Sequence, residues 1–463
     1  MSIFPPYRAH VVAKIPITTR PERERALEQA GYNVFNLRAN MVTIDLLTDS
    51  GTGAVSSAQE AAAAAGDRSY AGSESFYRFR EAVSDLTQYP YILPVHQGRA
   101  AERILFSTLL RPGQISLSNT HFDTTRANVE LVGAEARDLP CAEFKDLDSM
   151  EPFKGNIDLA ALEDILTGRD TERVALVIMT ITNNGGGGQP VSMANLKAVS
   201  RICRQHAVPL FLDAARFAEN AWLVIQRESG YEQCTPREVA GMAFQLADGC
   251  LASLKKDGIS PMGAFLGLRN ADLARRCEVN LIATEGFRTY GGLASHDLER
   301  IAQGLGEVLD PDYLQSRAAE AEHLAKLAGD AGVDVVQPPG IHAIYLNAGR
   351  LLQHIPARYF PGQALACELY LRGGIRCVEL GSLYLGELDG SHDLVTPASY
   401  ELVRLALPRR VYTRSHLDYV GEVLNSIAEH PERVPGYRIL DAPSILRHFN
   451  VRMEPFPIAE APL

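Results

Sequence analysis

The sequence predicts an α/β protein: a mainly parallel sheet with helices on both faces, followed by a smaller α+β domain. Three observations predict it. "RVALVIMTIT" (173–182) is a continuous apolar run, the pattern of a strand buried on both faces. "SMANLKAVSRICRQHA" follows with helical spacing, and "VPLFLDAARF" (208–217) returns to a strand pattern, so strand, helix and strand alternate as in a parallel sheet. After about residue 300 the texture shifts to helices with a few short strands.

The elements follow in order. "AAAAA" (61–65) reads as helix, and "HQGRAAERIL" (96–105) places Gly98 where a helix begins. Ser192 reads as the N-cap of the helix that follows the 173–182 strand. "GGGG" (185–188), between them, reads as a flexible loop. "VAGMAFQLADGC" is helical and "LASLKK" a short strand. A long helical segment covers 313–332. "QALACELYLRGG" and "RSHLDYVGEVLNSIAEH" read as packed helices and "YELVRLALP" as a strand. The expected organisation is an N-terminal arm with part of the small domain (1–48), a large domain (49–305) and a small C-terminal domain (306–463).

The chain has 463 residues, 46% hydrophobic and 22% charged, which suits an ordinary globular protein with a large core and a second, smaller one. A net charge of −11 argues against a nucleic-acid or anionic-membrane partner. No apolar stretch approaches the roughly 18 residues of a membrane span, and the start has no basic region ahead of an apolar block. Seven cysteines occur singly with no CxxC, so reduced thiols and a cytoplasmic location are expected. No resident metal is expected.

Candidate chemistry begins at Asp213, an acid ending an apolar strand, where α/β sheets bind ligands. Close to Arg216, it suits a site for a protonated heterocycle; an aspartate there also fits a plain helix cap. Lys256 ends the next candidate strand. A strand-end lysine beside a strand-end aspartate is the pair that pyridoxal phosphate needs: the amine bonds the aldehyde and the carboxylate keeps the ring nitrogen protonated. Its neighbour Lys255 must point elsewhere, since adjacent residues on a strand or turn diverge. Gln97, Gly98 and Arg99 precede a helix whose N-terminal N–H groups suit a phosphate, with Ser253 as a further donor.

Longer motifs carry a resemblance: "IDLLTDSGTGA" (44–54), "YAGSESFY" (70–77), "HQGR" (96–99), "FDTTR" (122–126), "GGQPVSMANL" (187–196), "DAARFAENA" (213–221), "KKD" (255–257), "EGFRTYGGL" (285–293), "FPGQALACELY" (360–370) and "RLALPRRVYT" (404–413). From about Tyr32 to Phe449 the chain resembles the tryptophanase and tyrosine phenol-lyase family of pyridoxal-phosphate β-eliminating lyases. That resemblance implies the aspartate aminotransferase-like fold type I. It implies Lys256 as the lysine that forms the Schiff base, with Lys255 in support. Asp213 would partner the ring nitrogen, Arg216 the ring hydroxyl and Phe122 the ring face, with Gln97, Gly98, Arg99 and Ser253 as the phosphate cup. Asn184 and Arg404 would hold the substrate carboxylate, with Thr48 and Ser50 close by. Tyr70 would be the general acid, reaching the site of a neighbouring subunit in a dimer, usually paired into a homotetramer.

Three positions bear on the leaving group. Asp123 stands where tyrosine phenol-lyases have threonine, Leu380 where they have arginine, and His448 where they have phenylalanine. All three follow the tryptophanase pattern, which implies L-tryptophan and water going to indole, pyruvate and ammonia. A sister lyase on L-tyrosine or another β-substituted amino acid, and an aminotransferase on the same fold, remain as alternatives. The family holds potassium with a glutamate just before the tyrosine of "YAGS". Here the stretch is "GDRSYAGS" (66–73), with Arg68 and Ser69, so potassium is doubtful.

Overall fold

The computed structural model describes residues 3–443 and 446–458. The chain divides into two compact units. The first comprises Ser50–Arg317, the N-terminal residues up to Pro6, and Arg409–Val411. The second comprises Tyr7–Asp49, Ala318–Pro408 and the residues from Tyr412 onward. The second boundary thus falls later than the expected 305/306. Helix Ser295–Glu307 packs on helices Ser57–Ala64 and Glu74–Thr87 of the first unit, and the long helix Pro311–Asp330 runs across the division. The return of the chain to the first unit at Arg409–Val411 has no signal in the hydropathy pattern.

The first unit is built on a seven-stranded sheet: β1 (Tyr91–Val95), β2 (Ile115–Ser118), β3 (Glu135–Asp138), β4 (Val174–Thr180), β5 (Leu210–Asp213), β6 (Gly249–Ser253) and β7 (Ala264–Leu268). The spatial order is β1-β7-β6-β5-β4-β2-β3. Only β7 is antiparallel to its neighbours, so the other six strands share one direction and present their carboxyl ends along one edge. The continuous apolar runs have the predicted cause. Val177 and Met179 of β4 enter one hydrophobic cluster while Leu176 and Ile178 enter another, so both faces of the strand are covered. Ser192 caps helix Met193–Gln205, accepting from the Asn195 N–H at 3.0 Å.

Two expected strands are shorter than the sequence suggested. β5 stops at Asp213, whose Oδ1 accepts from the Ala215 N–H at 3.3 Å in a turn, and a helix starts at Phe217. Asp213 therefore ends a strand and does not cap that helix; Arg216 holds the N-cap position. β6 stops at Ser253, and both lysines lie in the turn beyond it. The glycine run forms a closed turn. Asn183 and Gln189 pair across it as an isolated bridge, and a Cβ on Gly186 would stand 2.6 Å from the Phe144 ring. Glycine is needed there for close packing.

The second unit carries an antiparallel sheet of β8 (Ala343–Asn347), β9 (Val378–Leu380) and β10 (Leu402–Ala406) in the order β9-β10-β8. Helices Pro361–Gly373 and Arg414–Ala428 supply Leu365, Tyr370, Val420 and Leu424 to its core, alongside Val403 and Leu405 of β10.

Candidate active site

The shared strand direction gathers the sequence-predicted residues. Ser50, Gln97, Gly98, Arg99, Phe122, Asp213, Ser253, Lys255 and Lys256 line one cleft at the carboxyl edge of the sheet, together with Glu102, Thr124, Ala215 and Leu251. Val95 and Ser253 both pair with Ala264, so the ends of β1 and β6 flank the start of β7. Gly98 then opens helix Gly98–Leu109 against Ser253. A Cβ on Gly98 would stand 2.9 Å from the Ser253 Cβ, so only glycine gives the two segments this approach. The helix N-terminus, the Ser253 hydroxyl and the Arg99 guanidinium make a donor set for a phosphate.

Asp213 is buried in the middle of the edge, between the ends of β4 and β6. Burial raises its carboxyl above the usual range, while the charges of Lys256 and Arg216 and the Ala215 N–H pull it back. A cationic partner within hydrogen-bond reach would offset that cost. Arg216 is buried as well. Burial, reinforced by the Asp213 charge, pushes Glu102 up to about 7, although Thr124 and Thr125 hydrogen-bond it. Sequence reasoning missed Glu102; its place one turn beyond Gly98 on the same helix was the available signal.

The lysine turn is held from several sides. The Lys256 carbonyl accepts from the Ile259 N–H at 2.9 Å, and the Lys255 carbonyl accepts from the Gly51 N–H at 2.6 Å. Gly51 has φ +74°, and a Cβ there would meet the Lys255 Cε at 2.8 Å and the Pro261 carbonyl oxygen at 2.9 Å. Asp257, fully buried, accepts from the Ala218 N–H at 2.8 Å and from Arg409 Nη2 at 2.7 Å; Arg409 also donates to Glu219 at 2.9 Å. Ile259, β-branched and buried, adopts φ +45°, a strained conformation for such a residue. The Gln59 amide donates to its carbonyl at 3.0 Å. Burial, with the charge of Arg99, lowers the Lys255 ammonium below its ordinary range. Gln59 left no mark in the sequence, and Arg409, although inside the "RLALPRRVYT" motif, carried no expected role.

Other predicted residues lie elsewhere. Asn184 is buried in the glycine turn after β4. Asp123 is the first residue of helix Asp123–Leu131, next to Phe122 at its N-cap. Tyr70 is 69% exposed and stacks on Phe287 with ring centres 5.8 Å apart, so it is not part of this chain's own cleft. Thr48, Leu380, Arg404 and His448 belong to the second unit. There Arg404 pairs in register with Val378, and Leu380 with Leu402. Arg404 Nη2 donates to the Leu47 carbonyl at 3.0 Å. His448 is buried, not a surface histidine, with its ring 4.4 Å from Tyr384 and 4.0 Å from Phe449. Burial, then the charges of Arg447 and Arg404, push it down to about 4, so the ring is neutral at neutral pH.

The family model for β-eliminating lyases matches residues 45–423. The chain belongs to the β-eliminating lyase family. It is 49% identical over 454 residues to a tryptophanase of Hyphomonas neptunium, covering 98% of this chain and 99% of that protein. It is 40% identical over 452 residues to a tyrosine phenol-lyase of Symbiobacterium thermophilum, covering 97% and 98%. Among solved structures, a threonine aldolase of Leishmania major superposes with a TM-score of 0.58 at 16% identity, over 83% of this chain and 99% of that one. The fold is that of fold type I pyridoxal-phosphate enzymes, and this lyase is a pyridoxal-phosphate-dependent carbon–carbon lyase. Its residues fit the cofactor: the Gly98–Ser253 approach makes a cradle that a Cβ would fill, and acid, lysine and phosphate donors share one cleft. Among the described residues no helix is long and apolar enough to cross a membrane, and no metal-ligating cluster occurs.

Proposed function

We propose that this lyase converts L-tryptophan and water to indole, pyruvate and ammonia in the cytoplasm. The observation that carries the reading is His448: a buried imidazole kept neutral by its surroundings, with a ring nitrogen able to accept a hydrogen bond at neutral pH. Indole leaves only after protonation at C3, which places positive charge on its ring nitrogen. A neutral imidazole and the Asp123 carboxylate are the groups suited to that N–H. Leu380, apolar where tyrosine phenol-lyases have an arginine, supports an indole over a phenol.

In this reading Gln97, Gly98, Arg99 and Ser253 hold the cofactor phosphate, Asp213 its ring nitrogen, Arg216 its ring hydroxyl and Phe122 its face. When bound, the cofactor supplies an electron sink for the substrate Cα. Lys256 moves the Cα proton, with Lys255 beside it. Arg404 clamps the substrate carboxylate by a two-pronged hydrogen bond, aided by Asn184, Thr48 and Ser50. Tyr70 donates the C3 proton into a partner subunit's site; its exposure supports that role, as do Phe4, Val11 and Val12, which are 75%, 89% and 89% exposed and suit burial in a homotetramer. No carboxylate immediately precedes Tyr70 to hold potassium, and Arg68 supplies the positive charge in the ion's stead, so activity should be nearly the same in potassium and sodium.

The test is product analysis with tryptophan and tyrosine in parallel. Indole should form far faster than phenol. Phenol as the main product would favour the tyrosine reading, and amino transfer to a 2-oxo acid would favour an aminotransferase.

A further inference from the structure

Ser116, His121 and Asp138 form a hydrogen-bonded chain inside the first unit. Ser116 Oγ lies 2.8 Å from His121 Nε2, and His121 Nδ1 lies 2.6 Å from Asp138 Oδ1. The His121 backbone N–H donates to the same carboxylate oxygen at 2.8 Å, and Arg126 Nη2 donates to Oδ2 at 2.7 Å. This order of groups can activate a serine for acyl transfer. Here it cannot, because Ser116 is 0% exposed within β2 and does not line the cleft.

The placement of the three residues suggests another use. Ser116 lies on β2 and Asp138 ends β3, so both are fixed by sheet pairing. His121 lies in the loop after β2. Its two ring nitrogens and its backbone N–H are all tied to those two strands. The next residue is Phe122, which lines the cleft and caps helix Asp123–Leu131. Asp138 is held below the usual carboxylate range: burial would raise it, but the His121 hydrogen bond and the His121 and Arg126 charges outweigh that.

We propose that His121 is a positioning residue: pinned between Ser116 and Asp138, it sets where the Phe122 ring lies against the cofactor and how Asp123 is presented. This rests on the reading of Phe122 as the stacking face. A phenylalanine at 121 would fill the same space but could not bridge the two strands.

The experiment uses full-length His121→Phe, Ser116→Ala and Phe122→Leu. Each is titrated with pyridoxal phosphate, and the visible circular dichroism is read per bound cofactor; thermal melts without cofactor report folding. His121→Phe should weaken cofactor binding about tenfold, equivalent to about 1.4 kcal/mol, and reduce the visible dichroism. Ser116→Ala should shift both in the same direction by less, with its melt near that of the parent. Unchanged binding and dichroism in the folded variants, while Phe122→Leu alters both, would overturn the proposal alone. If Phe122→Leu changes neither, the stacking reading itself fails. Should His121→Phe not fold, Ser116→Ala decides by the same two readouts.

Discussion

The Gln59 side-chain amide donates to the Ile259 carbonyl at 3.0 Å, and both residues are buried. The same amide donates to the Arg300 carbonyl at 3.0 Å. The lysine turn thus ends on a left-handed, β-branched residue clamped from another helix. The amide also reaches the Gly258 carbonyl at 3.4 Å, so Gln59→Leu leaves three carbonyls without that donor, a loss of about 1–3 kcal/mol. Urea unfolding should register that loss, and attachment of cofactor to the turn should slow with it. An unchanged unfolding midpoint would mean the clamp carries no strain.

Adjacent lysines should differ in kind. Lys256→Ala should lose the visible absorbance of bound cofactor, while Lys255→Ala should keep it, because only one amine can bond the aldehyde. A colourless Lys255 variant and a coloured Lys256 variant would exchange their roles.

Gly98→Ala pushes a methyl group to within 2.9 Å of the Ser253 Cβ. Cofactor affinity should fall, and the further change Ser253→Gly should recover part of it by removing the opposing carbon, even though it deletes a hydroxyl donor. Parent-like binding by Gly98→Ala in a spectroscopic titration would show that the cradle has room to spare.

His448 titrates near 6.5 in an unfolded chain and is pushed down to about 4 when folded, by burial and then by Arg447 and Arg404. Between those values the unfolded state binds more protons. Stability is therefore fully present above about pH 6.5 and is lost as the pH falls toward about 4, by on the order of 3 kcal/mol. Urea midpoints for His448→Phe should drop less than the parent's between about pH 7 and pH 5. Equal drops would place the acid sensitivity elsewhere.

The strand ending at Asp213 is readable from sequence because three apolar residues, Leu210, Phe211 and Leu212, lead into an acid with no turn signal between them, and burial on both sheet faces demands such a run. The lysine turn reads as strand for the same reason: "CLASL" is apolar beyond the point where sheet pairing stops at Ser253. Composition suggests freedom for "GGGG", yet the Asn183–Gln189 bridge and the Phe144 ring close it. Gln59, His121 and Arg409 act through hydrogen bonds or ion pairs to residues chosen by the tertiary fold, and one-dimensional patterning does not encode those. Tyr70 is the reverse case: its motif is plain, yet its side chain is 69% exposed, outside this chain's own cleft.

The insertion of β7 between β1 and β6 bears on how the enzyme is made. Gly98 and Ser253 face each other only after the last strand of the sheet, ending at Leu268, has joined both neighbours. A chain emerging from the ribosome completes β1 early but must wait for β7 before the elements proposed to bind the phosphate can be brought together. Truncated nascent chains that stop short of Leu268 should leave added pyridoxal phosphate free, so capture of the cofactor marks the end of sheet assembly during synthesis.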